Sequence, residues 1–446
     1  MNRNRIFVAV AVSAVLFAAV AWRARHRVRD LLDQHQKERN TDSLRIDFDK
    51  TASHSGAPPL KIEPEDVPWW RARAVFGSPN AGVALTWSDS KNVLWKTPVP
   101  GRGHSSPCVL GERIILTTAD ADEGTQHVLC LSLITGKVDW TREVHRGKFV
   151  FSNTKNSQAS PTAATDGSLV FVSFVVDEAV WLSALTLKGE VSWQTEVGPF
   201  VSKEGFGASP LIAGDAVIVA ADNVGPSWLA AVHRASGEIL WRLPRGAGNS
   251  YATPVVQQVG QEEHILLAGI ETVTARRVRD GGEVWTIPGP VLSASTPAIG
   301  DGLLFVTGCT PESGISGIRL SNPPETLWNH RIKVEVPSPL YSDGLVYLTQ
   351  DLGIMLCVEA ETGKVVWRKR LGGNAASSPI LVGDRILQCM EDGRTVILRA
   401  GRDAEVLGEN MLDEGILATP VLSRGRLLIR TLGHIYCIGD AESPGP

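Results

Sequence analysis

The sequence has only four methionines in 446 residues, and it has no adjacent cysteines, no C-x-x-C pair and almost no charge imbalance. With 44 Lys+Arg against 48 Asp+Glu the formal net charge is −4. That balance lacks the concentrated basic excess a general nucleic-acid binder needs. The six cysteines (Cys108, Cys130, Cys309, Cys357, Cys389 and Cys437) are widely spaced, which leaves zinc knuckles, redox dithiols and ferredoxin-type clusters without support. Most sit in apolar runs such as Leu129-Cys130-Leu131, as inert buried thiols do. No Ser/His/Asp set, Walker loop or HExxH pattern occurs, and Gly101-Arg102-Gly103 is too short to cradle a phosphate. No cysteine precedes Cys108, so a lipobox-type lipid attachment is not expected.

What the chain does have is 43 glycines, 26 prolines and 13 tryptophans. That mixture reads as many short strands joined by tight turns rather than as a helical bundle. Ahead of it, two arginines precede a 17-residue uncharged run from Ile6 to Trp22, at the short end of what spans a bilayer as a helix. Ala19-Val20-Ala21 has the form of a signal-peptidase site, yet Arg23, Arg25, Arg27 and Arg29 follow at once and resist translocation. The expectation is an uncleaved signal anchor over 1–22, in the cytoplasmic membrane, with the rest of the chain on the extracytoplasmic (periplasmic) side. Residues 23–85 have tether and linker composition, with His54-Ser55-Gly56-Ala57-Pro58-Pro59 at the centre.

From there on the sequence repeats. A Ser/Thr-Pro step followed by an apolar strand recurs at Pro107, Pro161, Pro210, Pro254, Pro297, Pro339, Pro379 and Pro420, at intervals of 40 to 54 residues. Tryptophans recur in phase at Trp95, Trp140, Trp193, Trp241, Trp285, Trp328 and Trp367, and Leu407 stands where the next would fall. Four short strands per 40 to 50 residues are the signature of a β-propeller blade. Gly136, Gly189, Gly237, Gly281 and Gly363 each stand four residues before a repeat tryptophan. Glycine supplies the positive φ of a tight hairpin, and positions an even number apart share a strand face. Each Trp is therefore expected to fold back over its own turn and pack between blades.

The last copy ends without a Trp-bearing fourth strand, whereas Asn92 to Thr97, around Trp95, is a fourth strand without the other three. Joined, they complete a blade and remove the open edges of the ring. Residues 92–440 divide into eight copies of about 44 residues. The fold expected is all-β: a single, monomeric eight-bladed propeller over 86–440 with a short tail over 441–446.

These motifs resemble the pyrroloquinoline-quinone-like (quinoprotein-type) β-propeller repeat proteins. Thr135 to Trp140 and Thr362 to Trp367 look like that family's tryptophan-docking element. Pro100-Gly101-Arg102-Gly103-His104-Ser105-Ser106-Pro107, Gly205-Phe206-Gly207-Ala208-Ser209-Pro210 and Ser250-Tyr251-Ala252-Thr253-Pro254 are similar to its exported branch, abundant in planctomycete-type bacteria. The resemblance covers residues 85–440 and implies two different functions. Quinone-dependent dehydrogenases of alcohols or sugars hold the quinone (PQQ) and a Ca²⁺ in the funnel, often under a vicinal disulfide. The propeller lipoprotein of the outer-membrane β-barrel assembly machine, a more distant resemblance, is a non-catalytic scaffold. No residue here matches the dehydrogenases' calcium ligands or base, so no cofactor, metal or catalytic residue is assigned. A membrane-tethered binding or assembly scaffold with a protein or cell-envelope partner is the expected function, and a polysaccharide or small-anion binding module is a third reading.

Loops entering the innermost strands converge on one mouth of a propeller. They bring Arg102, His104, Lys155, Asn156, Arg245, Asn249, Tyr251, Lys333, Glu335 and Asn374, a mixed, mildly cationic set suited to a small anion or polar ligand. The loops between second and third strands emerge on the same face and carry acids, among them Asp120, Asp222, Asp351 and Glu391, as solvated turns do.

Overall fold

The computed structural model describes residues 56–72, 74–76, 84, 86–310 and 314–440, within one compact unit, Asp49–Pro446. The run from Ile6 to Trp22 lies outside the described residues. Among those described, no helix is long and apolar enough to cross a membrane.

Eight antiparallel sheets follow one another around the chain. Blade 1 shows the unit: Cys108–Leu110, Arg113–Asp120, Thr125–Ser132 and Val138–Arg146, each paired with the next. Blades 2 to 7 repeat it over 164–199, 211–244, 255–288, 298–330, 340–370 and 380–411. Blade 8 takes three strands from the carboxyl end, and Val93–Pro98 is its fourth, paired antiparallel with His434–Ile438. The closure expected from the sequence is thus present. The second and third strands are continuous apolar runs, such as Leu169–Val176 and Ala216–Ala221, because both of their faces are covered by neighbouring blades.

The tryptophans pack between blades, but not as the sequence reading has it. Six of the seven indoles, all but Trp285, dock on the turn of the next blade, not on their own. The Nε1–H of Trp95, Trp140, Trp193, Trp241, Trp328 and Trp367 donates to Leu133, Leu187, Arg234, Val278, Ala360 and Gly401 carbonyls respectively. The glycine of the following turn has φ between 67° and 80° at Gly136, Gly189, Gly237, Gly281 and Gly363. A Cβ at Gly237 would stand 2.6 Å from the Trp193 ring, and one at Gly363 2.6 Å from Trp328. The residue two after the tryptophan reaches the same turn: Thr97 and Thr195 hydroxyls donate to Gly136 and Gly237 carbonyls, and Arg142 Nε to Gly189. A single blade cannot reveal this arrangement, since the constant spacing of glycine and tryptophan within it holds for either geometry.

The Ser/Thr-Pro steps form a second inter-blade device. The residue before a proline is pushed to an extended conformation, which turns its N–H sideways toward the next blade. Ser106 N–H donates to Thr162 Oγ1, Thr162 to Ser209 Oγ, and Ser209 to Thr253 Oγ1, at 2.9–3.0 Å. Thr296 donates to Ser338, Ser338 to Ser378, Ser378 to Thr419, and Thr419 back to Ser106, at 2.9–3.1 Å. Seven links of an eight-membered collar thereby close around the axis. At the remaining junction, Thr296 Oγ1 accepts Trp70 Nε1–H at 2.7 Å. The collar corrects one phase of the repeat: in blade 2 the collar residue is Thr162, so Ala163 and not Pro161 is the equivalent of Pro107.

Residues 56–72 and 74–76, linker by composition, are strapped across the face that carries the first hairpin of each blade. Lys61 N–H donates to Asp166 O, and Val67 exchanges both backbone bonds with Val109. Asp66 is buried and accepts from Gly111 N, Glu63 N and Arg424 Nη1, each at 2.8 Å. Arg234 is held between Asp166, at 2.7 Å, and Pro58 O. Val75–Phe76 then adds a parallel fifth strand to Ile380–Val382 of blade 7.

Candidate functional site

Because adjacent strands alternate direction, the links into the first strand and those between strands two and three leave on the face opposite the strap. They surround a cavity of about 440 Å³ whose floor is the collar, with Ser106, Thr162, Ser209 and Thr419, together with Trp70. The funnel is therefore blind: the strap enters the channel from below, and Trp70 reaches the collar.

Five of the ten residues expected at the mouth line this cavity: His104, Lys155, Asn156, Tyr251 and Glu335. The other five do not. Arg245 is spent in an ion pair with Asp222 at 2.6 Å, both side chains at most 5% exposed. Asn249 donates to Tyr251 Oη at 2.8 Å and so sits behind the wall. Arg102 is exposed and caps the Thr154 carbonyl at 2.7 Å. Lys333 is exposed and paired to Glu335, and Asn374 is exposed outside the lining.

The loop from His145 to Gln158, which brings Asn153, Lys155 and Asn156 to the cavity, is pinned to the next blade's loop. Asn153 Nδ2 donates to Glu204 Oε2 at 3.0 Å, and Ser202 Oγ to Phe151 O at 2.6 Å. Lys155 is drawn toward two carboxylates from the loops between second and third strands, Asp351 at 3.7 Å and Glu391 at 3.3 Å. Linear spacing places these two acids among the outer turns and does not encode their reach toward Lys155. Burial raises the Asp351 carboxyl above its usual range, opposed by the Glu335 backbone N–H. Burial, followed by Arg430 and Arg102, lowers the His104 imidazole to about 3, so it is neutral at ordinary pH. Cys309 also lines the cavity, and burial pushes its thiol up to about 12. Neither group is poised as a nucleophile or a general base near pH 7.

A pyrroloquinoline quinone carries three carboxylates, and this mouth does not fit it. Glu204 and Glu335 line the cavity, Lys155 and Lys333 are already neutralised by carboxylates, and Arg245 is turned away. All six cysteines are free, and none is adjacent to another. Among the described residues no group of three or more His, Cys, Asp or Glu is placed to hold a metal ion.

Fold and site together define a pyrroloquinoline-quinone-like propeller of eight four-stranded blades with a blind funnel whose lysines are paired to its own carboxylates. The model of the family described as outer membrane protein assembly factor BamB matches residues 72–160, 124–308 and 318–429, and the chain belongs to that family. It is similar to outer membrane protein assembly factor BamB of Yersinia pestis, 22% identical over 372 residues, covering 82% of this chain and 79% of the relative. The crystal structure of BamB from Moraxella catarrhalis superposes with a TM-score of 0.59 at 16% identity, over 79% of this chain and 98% of that one. Quinohemoprotein alcohol dehydrogenase from Comamonas testosteroni superposes with a TM-score of 0.61 at 13% identity, over 86% and 82%. At these identities the solved structures share the fold alone.

Proposed function

We propose that the chain is an extracytoplasmic, membrane-tethered, non-catalytic propeller that acts as a binding or assembly scaffold for proteins of the cell envelope. Residues 1–22 serve as the anchor, 23–85 as tether and strap, and 86–440 as the propeller. The carrying observation is the blind funnel: its cations are neutralised by its own carboxylates, its histidine is neutral and its thiol protonated. Relatives named as outer membrane protein assembly factors support the same reading. His104, Lys155, Asn156, Tyr251 and Glu335 are the candidate contact residues at the mouth.

Depleting the protein in its host should lower the level of folded outer-membrane β-barrel proteins. A photo-crosslinking residue at position 151 or 352, the exposed Phe151 and Leu352 of the mouth face, should capture an envelope protein. Removing residues 1–22 should release the chain from the membrane fraction. Oxidation of alcohols or sugars by the purified protein with added quinone and Ca²⁺ would overturn the proposal.

A further inference from the structure

Between the strap and the collar lies a second, separate pocket, lined by Trp70 and Arg71 from the strap and by Ser106, Thr162 and Thr419 from the collar. We infer that it is a binding site for a single monatomic anion of halide chemistry.

Size sets the first constraint. The pocket has a volume of about 10 Å³, room for one water or one ion of similar size and not for a phosphate or carboxylate.

The lining sets the second. Arg71 Nη2 donates to Pro339 O at 2.6 Å, whereas Nη1 is screened from solvent and has no hydrogen-bond partner among the described residues. The three collar hydroxyls each already accept a backbone N–H: Ser106 Oγ from Thr419 at 3.1 Å, Thr162 Oγ1 from Ser106 at 2.9 Å, and Thr419 Oγ1 from Ser378 at 2.9 Å. What remains on each is an O–H to donate and one lone pair. The polar side chains of the lining thus bring three hydroxyls and one unpartnered guanidinium N–H₂. A water could bond to the hydroxyls but would leave the guanidinium charge uncompensated, whereas an anion accepts from all four groups and supplies the opposite charge.

Charge gives the third argument. Burial is the sole cause acting on the Arg71 guanidinium, lowering it to about 10, with no carboxylate opposing the shift. Arg71 is partly buried, with its Nη1 screened from solvent; a cation so placed without a counter-charge is costly, and a bound anion supplies that charge. The backbone is bent to deliver the group, since Arg71 has φ 54°, a conformation non-glycine residues rarely take. An anion held there would clamp strap to collar and so seal the funnel from below.

The inference does not depend on the scaffold reading. Crystals of the full chain grown in bromide should show an anomalous peak within hydrogen-bond reach of Arg71 Nη1. Titrating chloride or bromide at constant ionic strength, with gluconate as the balancing salt, should raise Tm along a saturating curve. Arg71→Met should abolish that curve. An ordered water with no anomalous signal at that position, or an unchanged halide response in Arg71→Met, would overturn the assignment. The anomalous measurement uses the native chain and remains decisive if the variant folds poorly.

Discussion

At the scale of single residues, the glycines of this chain divide into two kinds that only their surroundings separate. Gly237 has φ 77° and the Trp193 ring of the preceding blade 2.6 Å from where a Cβ would sit. Gly111 has φ 56° with nothing within 4 Å. Gly111→Ala should therefore cost about 1 kcal/mol, the left-handed penalty alone. Gly237→Ala adds overpacking and should cost about 2–4 kcal/mol, a difference that chemical denaturation of the two variants would resolve. His104 makes a second prediction at this scale, in pH. Its folded pKa is lowered to about 3 from 6.5, so between those values the unfolded chain holds the extra proton. Stability is then full above about pH 6.5 and falls as pH drops toward about 3, by up to about 1.4 kcal/mol per pH unit. His104→Asn should flatten this part of the stability curve relative to the native chain. Superimposable curves would remove His104 from the account.

At the scale of elements, the blade was legible in the sequence because everything that builds it is local. The turn glycine, the tryptophan four residues on and the apolar strands lie within one 40 to 50 residue unit. What lies between units was not legible. The direction of tryptophan docking, the collar links from Ser106 through Thr419, and the inward reach of Asp351 and Glu391 all depend on how one blade is set against the next. The strap is the extreme case: by composition residues 56–76 read as linker, yet Trp69, Trp70 and Arg71 were a signal, since tether sequence seldom carries large aromatics. Its docking rests on Asp66, which accepts from three donors at 2.8 Å, one of them Arg424. Asp66→Asn places an amide among those donors and strips Arg424 of a buried partner, at a cost of about 3 kcal/mol. The loss should be local. Hydrogen exchange at the paired amides Val67 and Val109 should rise first, ahead of the second and third strands of the blades. Equal loss of protection throughout would show instead that strap and blades unfold as one unit.

At the scale of the whole molecule, the ring is held shut by three joints that do not resemble one another. The collar links the innermost ends of the blades. Six tryptophans, several of them helped by the residue two after, tie one blade's outer strand to the next blade's turn. Val93–Pro98 completes blade 8 across the chain termini, and its Trp95 then docks on blade 1 through Leu133 O, so one strand performs both the closure and the first docking contact. Removing it exposes the edge of His434–Ile438, an apolar strand with four of its five residues buried, and leaves blade 1 without its tryptophan. Deleting residues 86–98 should therefore do more than lower Tm: the open edge is a template for pairing with another chain, and light scattering should report oligomers or aggregate. The matched control is a circular permutant in which a linker joins 440 to 92 and the new termini fall in the exposed, mouth-side link at Gly101. It keeps all four strands of every blade and their pairings while making blade 8 continuous, it gives up the strap with Val75–Phe76, and such surface links tolerate new termini. It should remain monomeric with Tm within a few degrees of a chain that begins at residue 86. A monomeric, cooperatively unfolding deletion variant would mean that the collar and the tryptophans suffice to close the ring. An aggregating deletion beside a monomeric permutant would assign closure to strand pairing, with chain order playing no part.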